Sequence, residues 1–309
     1  MTGVVLISAS DDLSTLRLAI QALAPELPVY LHGEPAAEQA QVAACWCPAP
    51  GSLGAYPRLR LVQSIAAGID HVLRDGSRPP GVPVCRIVDA DHRQGMTEYV
   101  LWAVLHHHRR MDQVLANQAE ARWVEPGQRS AALCQVGVLG LGALGAHAAS
   151  ALASLGFSVR GWARSVKALP GVRSYAGAAE LQPFLDGLDM LICLLPLTEQ
   201  TRGLLDARVF ARLAPGAVLV NCGRGEHLVV PDLLAALDSG RLRGAVLDVF
   251  EQEPLPADDP LWQTPGVVIT PHMASSASPG SIARQVVENV RRLQAGQPLL
   301  NEADPEAGY

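Results

Sequence analysis

Residues 134–145, CQVGVLGLGALG, constrain the fold of this chain more than any other stretch. Residues 136–139 are apolar and read as a buried strand. They run into Gly140-Leu141-Gly142-Ala143-Leu144-Gly145 and then into an alanine-rich helical stretch, 146–155. G-x-G-x-x-G set between a strand and a helix is the context that a dinucleotide fingerprint requires. Gly140 suits the tight turn, Gly142 leaves room for backbone to approach a pyrophosphate, and Gly145 lets helix and strand close up. The helix start, at Ala143 and Leu144, offers N–H groups and a positive dipole end to phosphates. The alternative is a glycine-rich turn in some other α/β protein, and the strand and helix flanks favour the dinucleotide.

A length of 309 residues suggests two domains. The net charge of -6 is spread over interspersed acids and bases, so no nucleic-acid footprint is expected. The densest positive cluster, HHHRR at 106–110, reads as a solvent-facing helix C-terminus. The opening MTGVVLISAS lacks a basic segment followed by a long apolar core, so no secretory signal is expected, and no apolar run suits a membrane span. Cys45, Cys47, Cys85, Cys134, Cys193 and Cys222 show no C-x-x-C spacing. Reduced thiols in a cytoplasmic protein fit this pattern, and no metal site is expected.

Residues 3–7, 29–31, 42–47, 59–65 and 83–87 read as short strands, with a helix at 13–23. Such alternation argues for a small parallel sheet with flanking helices. Residues 97–108 read as a helix capped by Thr97 and buried on several sides, because 99–105 are almost wholly apolar. Residues 122–132 read as loop. A second alternation follows, with strands at 136–139, 158–162, 190–194, 217–221, 244–248 and 267–270. Helices fall at 146–155, 177–185, 208–213 and 230–239, with a weaker one in the Pro-rich connection 254–262. Parallel strands joined by crossover helices make a doubly wound sheet. A last helix, 281–296, lies beyond the final strand, which suits a return to the first domain.

The second strand of this sheet bears on the cofactor. An NAD-preferring fold carries an acid about 20 residues past the first glycine. Here the strand reads SVRGWARS, and no Asp or Glu occurs between Glu125 and Glu180. Arg160, Arg164, Lys167 and Arg173 are present instead, with Ser165 as a hydroxyl donor. A 2′-phosphate needs positive charge and donors, so NADP(H) is expected over NAD(H). Arg164 and Lys167 also suit solvated surface charges.

The strands of this half end in polar groups. Residues 190–195 lead, through Leu195, to Pro196-Leu197-Thr198 with Thr201 nearby, and 218–220 lead to Asn221-Cys222-Gly223-Arg224-Gly225. Residues 245–247 end at Asp248 and continue to Glu253, and 267–270 end at Pro271-His272. Ligands of open α/β sheets sit beyond the carboxyl ends of the strands. Leu195, Pro196, Thr201, Cys222, Gly223 and Asp248 are therefore candidate cofactor contacts. Taken singly, Arg224 suits a turn arginine, His272 a capping histidine and Glu253 a solvated loop acid. Together they suit the reduction of a 2-oxo acid. A hydride reaching the carbonyl carbon leaves negative charge on oxygen, and a proton must arrive there. His272 is the natural donor, with Glu253 to hold the ring and favour its charged form. Arg224 offers a planar fork to the substrate carboxylate, and Asp248 suits a nicotinamide carboxamide N–H.

GVLGLGALG, NCGRG, LDVFEQEPLP and ITPHMA, in that order, resemble the D-isomer-specific 2-hydroxyacid dehydrogenase family. Within it the chain is similar to the branch that reduces glyoxylate and hydroxypyruvate with NADPH, and SIAAGIDHV and GWARSVKALPGVRSYAG extend the likeness. The resemblance implies a Rossmann cofactor domain, 98–274, inserted into a flavodoxin-like substrate domain, 1–97 and 275–309. It places the catalytic arginine, its acidic partner and the acid/base histidine on Arg224, Glu253 and His272. It places a substrate-binding loop on Ala66, Ala67, Gly68, Ile69 and Asp70, a pocket wall on Trp46, and Cys222 facing the nicotinamide. Trp46 suits core packing equally well. A homodimer through the cofactor domain and its connecting helix is also implied. TPHMASSASPG departs from the wider family's TPH-x-A-G-x-T pattern, which bears on substrate preference. Two other classes share the fold. Dinucleotide-sensing co-repressors carry the same glycines and Arg/Glu/His set, but this chain shows no long disordered arms. Relatives that oxidise formate or phosphite fit the cofactor-pocket cations and Trp46 less well.

Overall fold

The computed structural model describes residues 2–306 and Gly308. Residues up to His92, with the segment from Ser276 onward, form one compact unit, and Arg93–Ser275 form a second.

In the first unit, β1 (Gly3–Ser8), β2 (Val29–Leu31), β3 (Ala40–Trp46), β4 (Leu61–Ser64) and β5 (Val84–Cys85) form a parallel sheet ordered β2-β1-β3-β4-β5. This is the flavodoxin-like order. The near-continuous apolar runs have a direct cause. Val4 and Leu6 of β1 enter a core with Leu16 and Ile20 of α1 (Ser14–Leu23), whereas Val5 and Ile7 enter another with Ile69 and Val72. A parallel strand covered on both faces has no side to leave polar. Each buried Val, Leu or Ile contributes about 1.5–3 kcal/mol relative to exposure. The short helix α2 (Asp70–Leu73) follows β4.

Next comes α3 (Ala90–His108), which starts well before Thr97. Thr97 is therefore no cap. Its hydroxyl donates to the Arg93 carbonyl one turn back and meets His147 Nδ1 at 2.7 Å. The HHHRR cluster does not simply face solvent either, since His107 is 1% exposed. Arg110 adopts a left-handed φ of 59° and turns the chain into α4 (Met111–Ala119). That return brings Asp112 to Arg243, at 2.7 Å, and beside His107. The Arg243 charge and the His107 hydrogen bond outweigh burial and hold the Asp112 carboxyl down at about 2. Nor is α3 buried all round, because Trp102 and Leu105 are exposed.

The second sheet contains β6 (Gln135–Leu139), followed by α5 (Ala143–Ser154), β7 (Ser158–Ala163) and β8 (Val172–Ala176). Then come α6 (Leu181–Leu185), β9 (Met190–Cys193), α7 (Ala207–Arg212), β10 (Ala217–Asn221), α8 (Val230–Asp238), β11 (Leu242–Leu247) and β12 (Val267–Ile269). The seven parallel strands are ordered β12-β11-β10-β9-β6-β7-β8, so the order reverses at β6. Six strands are expected from the sequence; β8 is the addition. Its VRSYA lies at the sheet edge and is mostly half-buried or exposed, so its apolar signal is thin. The 254–262 connection holds a 3-10 turn at Pro260–Gln263. The chain ends with α9 (Pro279–Ala295), capped by Ser278 and packed on α1. No helix among the described residues is long and apolar enough to cross a membrane.

Candidate active site

The site is built on the carboxyl ends of the strands of the second unit. At the end of β6 the chain turns through Gly140, whose φ is 97°. The helix α5 begins at Ala143, earlier than the alanine pattern suggests, with Gly142 as its N-cap. A Cβ on Gly145 would lie 1.8 Å from the Gly140 carbonyl oxygen, so only glycine lets the helix start this close to the strand. A Cβ on Gly142 would instead meet nothing within 4 Å. The space over Gly142 is an open cradle that a side chain would fill. The first N–H groups of α5 at Ala143, Leu144 and Gly145 have no intrahelical acceptor. These features fit a dinucleotide pyrophosphate.

The loop after β10 is fixed before Arg224 extends from it. Asn221 Oδ1 accepts from Gly223 N, and its Nδ2 donates to the Arg224 carbonyl. Arg224 N–H donates to His227 Nδ1 at 3.0 Å. With Nδ1 accepting, Nε2 carries the proton and lies 3.2 Å from the Pro196 carbonyl. His227 is 0% exposed, and burial pushes its pKa below the ordinary imidazole value. A neutral ring thus bridges the Arg224 loop and the loop after β9. Thr201 belongs to the latter, donating to the Pro196 carbonyl at 2.8 Å and accepting from Thr198 N.

Glu253 and His272 meet directly. Glu253 Oε2 lies 2.7 Å from His272 Nδ1, and Oε1 accepts from Phe250 N at 2.8 Å. Burial raises the Glu253 pKa, but the His272 hydrogen bond, the Phe250 N–H and the charges of His272 and Arg224 outweigh it. The net shift is downward, which keeps a carboxylate beside the ring. Nδ1 faces that carboxylate, which puts Nε2 on the opposite edge of the ring.

The backbone of His272 is itself unusual, with φ at 50°. A non-glycine residue in this region carries strain of order 1–3 kcal/mol and persists only where its surroundings hold it. Here His272 N–H donates to the Asp248 carbonyl, and the Asp248 carboxylate accepts from Met273 N and Ala274 N, both at 2.9 Å. Thr270 Oγ1 adds a third donor at 2.6 Å. Asp248 is 1% exposed. With Oδ1 doubly engaged, Oδ2 is the oxygen with a lone pair remaining for a carboxamide.

Comparison with known proteins agrees with this architecture. Residues 101–274 match the model of the D-isomer specific 2-hydroxyacid dehydrogenase NAD binding domain. A glyoxylate/hydroxypyruvate reductase A of Serratia proteamaculans is 43% identical over 277 residues, covering 87% of this chain and 88% of that protein. The chain belongs to the D-isomer-specific 2-hydroxyacid dehydrogenase family. Two solved structures in the family are close in fold. A Xanthobacter autotrophicus 2-hydroxyacid dehydrogenase in complex with NADPH and MES superposes with a TM-score of 0.94 at 43% identity, covering 100% of this chain and 99% of that one. An NADPH-dependent glyoxylate/hydroxypyruvate reductase of Sinorhizobium meliloti, in complex with NADP and sulfate, gives 0.93 at 36% identity and full coverage of both chains.

In this dehydrogenase Arg164, Ser165 and Lys167 are exposed just beyond β7. Lys167 N donates to Ser174 Oγ, which pins that loop to β8. The other two cations of the stretch are engaged elsewhere. Arg160 donates to carbonyls at the end of α6, and Arg173 lies over the Tyr175 ring. Cys222 is buried, which pushes its thiol pKa well up and keeps it protonated. Leu195 and Gly223 lie in the same pair of strand-end loops.

The first unit carries the remaining candidates. The Trp46 ring lies 4.8 Å from that of His71. His71 Nδ1 accepts from Cys47 N, and Nε2 lies 2.9 Å from Ser64 Oγ. Ser64 Oγ in turn accepts from Ala66 N and donates to the Gly68 carbonyl. Arg86 donates to the Ala67 carbonyl. One buried imidazole therefore ties Trp46 to the loop Ala66, Ala67 and Gly68. Neither His71, inside SIAAGIDHV, nor His227, two residues beyond NCGRG, is marked out by its sequence pattern.

Proposed function

We propose that this dehydrogenase reduces small 2-oxo acids, glyoxylate and hydroxypyruvate among them, to 2-hydroxy acids with NADPH, and that His272 supplies the proton. The observation that carries this reading is the 2.7 Å pair of His272 and Glu253 with the charge of Arg224 beside it. When bound, the reduced nicotinamide supplies a hydride to the carbonyl carbon. Arg224 grips the substrate carboxylate and polarises the carbonyl. His272 Nε2 delivers a proton to the carbonyl oxygen, and Glu253 holds the ring through Nδ1. Trp46, Ala67 and Gly68 keep the substrate-binding role that the resemblance gives them. NADPH oxidation measured over a panel of 2-oxo acids tests the function. Absence of turnover with every member would favour a dinucleotide-sensing interaction protein.

Arg224→Lys retains charge and loses the fork. A hydrogen bond to a charged group contributes about 1.5–3 kcal/mol, so kcat/KM is expected to fall roughly tenfold or more. Unchanged rate and affinity would show that Arg224 does not grip the carboxylate.

Cofactor choice follows from Arg164, Ser165 and Lys167 around a 2′-phosphate. Fluorescence titration is expected to show NADPH binding about tenfold or more tighter than NADH, since one charge-assisted contact suffices for that ratio. Equal or tighter binding of NADH would remove the phosphate-site assignment.

The reading extends to a cytoplasmic homodimer. The free state of all six cysteines supports a reducing compartment. Exposed Trp102, Leu105, Met111 and Leu115 line one apolar groove of the second unit, the kind of surface that marks an interface.

A further inference from the structure

We propose that Tyr99 and Thr270 are positioning residues for the proton donor and act through Asp248. The inference rests on the reading of His272 as that donor. Tyr99 Oη lies 2.5 Å from Thr270 Oγ1, which lies 2.6 Å from Asp248 Oδ1. The hydroxyl hydrogen of Thr270 is committed to the carboxylate, so the phenol donates to Thr270. The relay therefore has one direction: Tyr99 to Thr270 to Asp248.

Its far end is the turn that carries the acid. Asp248 accepts from the N–H groups of Met273 and Ala274, the two residues after His272, and its carbonyl accepts from His272 N–H. Three consecutive N–H groups around a left-handed His272 thus converge on one residue, whose Oδ1 is aligned by the hydroxyl of Thr270. Glu253 sets the rotation of the ring, and Asp248 sets where the ring starts from. Tyr99 reaches this turn from the buried side of α3 and is 9% exposed. Both hydroxyls therefore act on the chemistry through Asp248 and the backbone of the turn.

Thr270→Val removes the hydroxyl and keeps the shape. Misplacing a reacting group by about 1 Å costs up to 100-fold, and a drop in kcat of about tenfold is expected here. The protein still folds, with a thermal midpoint lowered by a few degrees at most, because the Tyr99 hydroxyl and one Asp248 oxygen lose a partner. The solvent deuterium isotope effect on kcat rises, because proton delivery is the step that suffers, and Thr270→Ser restores most of the rate. Tyr99→Phe gives a smaller drop, of several-fold, in the same sense. Parental kcat in Thr270→Val, or a loss that Thr270→Ser does not rescue, overturns the proposal. If Thr270→Val fails to fold, Tyr99→Phe decides alone, and parental kcat there overturns it. His272→Ala, run in parallel, separates the two ideas. An inactive His272→Ala with a fully active Thr270→Val sinks only the relay, whereas an active His272→Ala sinks the donor assignment and the relay with it.

Discussion

Replacing His272 with alanine is expected to lower turnover at least about 100-fold, because a positioned general acid contributes 10²–10⁴-fold. NADPH affinity should change little, since the ring is held by Glu253 and makes no part of the glycine cradle. The fold should survive, because the His272 side chain is 29% exposed and its removal opens no core cavity. The backbone tie from residue 272 to the Asp248 carbonyl remains available to alanine. What is lost is the group proposed to supply the proton and the hydrogen bond that helps orient Glu253. The Phe250 N–H still holds Glu253 Oε1. Steady-state kcat with the best 2-oxo acid, together with an NADPH titration, checks both halves. Near-normal turnover takes His272 out of the mechanism. The pairing also carries a pH signature. Glu253 titrates below the ordinary carboxylate value when folded. Its contribution to stability is therefore present above the unfolded pKa and is lost as pH falls through the lowered folded one.

The second large effect needs no titratable group. A Cβ on Gly225 would sit 1.9 Å from Phe250 C and 2.1 Å from Glu251 N. Both obstacles are backbone, so no rotamer change relieves the clash. Gly225→Ala must therefore separate the loop after β10 from the loop after β11. Arg224 stands next to the substitution and Glu253 is three residues past Phe250. The wedge pushes apart the two elements that bring the guanidinium to the acid/base pair. Overpacking of this kind costs typically about 1–3 kcal/mol of stability. The larger loss falls on kcat/KM, expected to drop on the order of 100-fold, since misplacement of about 1 Å costs that much. A thermal melt separates the two costs. Retained kcat/KM in a folded Gly225→Ala protein would mean that this contact does not set the geometry of the site.

The side chains of the site are more legible in the amino-acid sequence than the contacts that hold them. His272, Glu253 and Arg224 can be proposed from the chain alone, because each follows an apolar strand and strand ends of such sheets share a rim. Both sheets are likewise legible, since strands covered on two faces are continuous apolar runs. The edge strand β8 was not, because VRSYA has little burial to advertise. Thr97 looked like a cap because the apolar run begins after it, yet α3 starts in the polar ADHRQG and its hydroxyl simply bonds back one turn. The histidines were least legible. His107 reads as part of a charged tail until the turn at Arg110 folds Asp112 back against it. His227 and His71 gain their roles from partners on other loops and strands, the Pro196 carbonyl in one case and Cys47 N with Ser64 Oγ in the other. No spacing rule encodes such partners.

The buried ring of His227 has a bearing on any attempt to retune this protein. One edge of the imidazole receives the main chain of Arg224, proposed to hold the substrate anion, and the other is fastened to the Pro196 loop, proposed to face the cofactor. Grip on the oxo acid and seating of the nicotinamide are therefore not separate dials. Remodelling the Pro196 segment drags with it the arm proposed to hold the anion, and changes in that loop have to be selected for both.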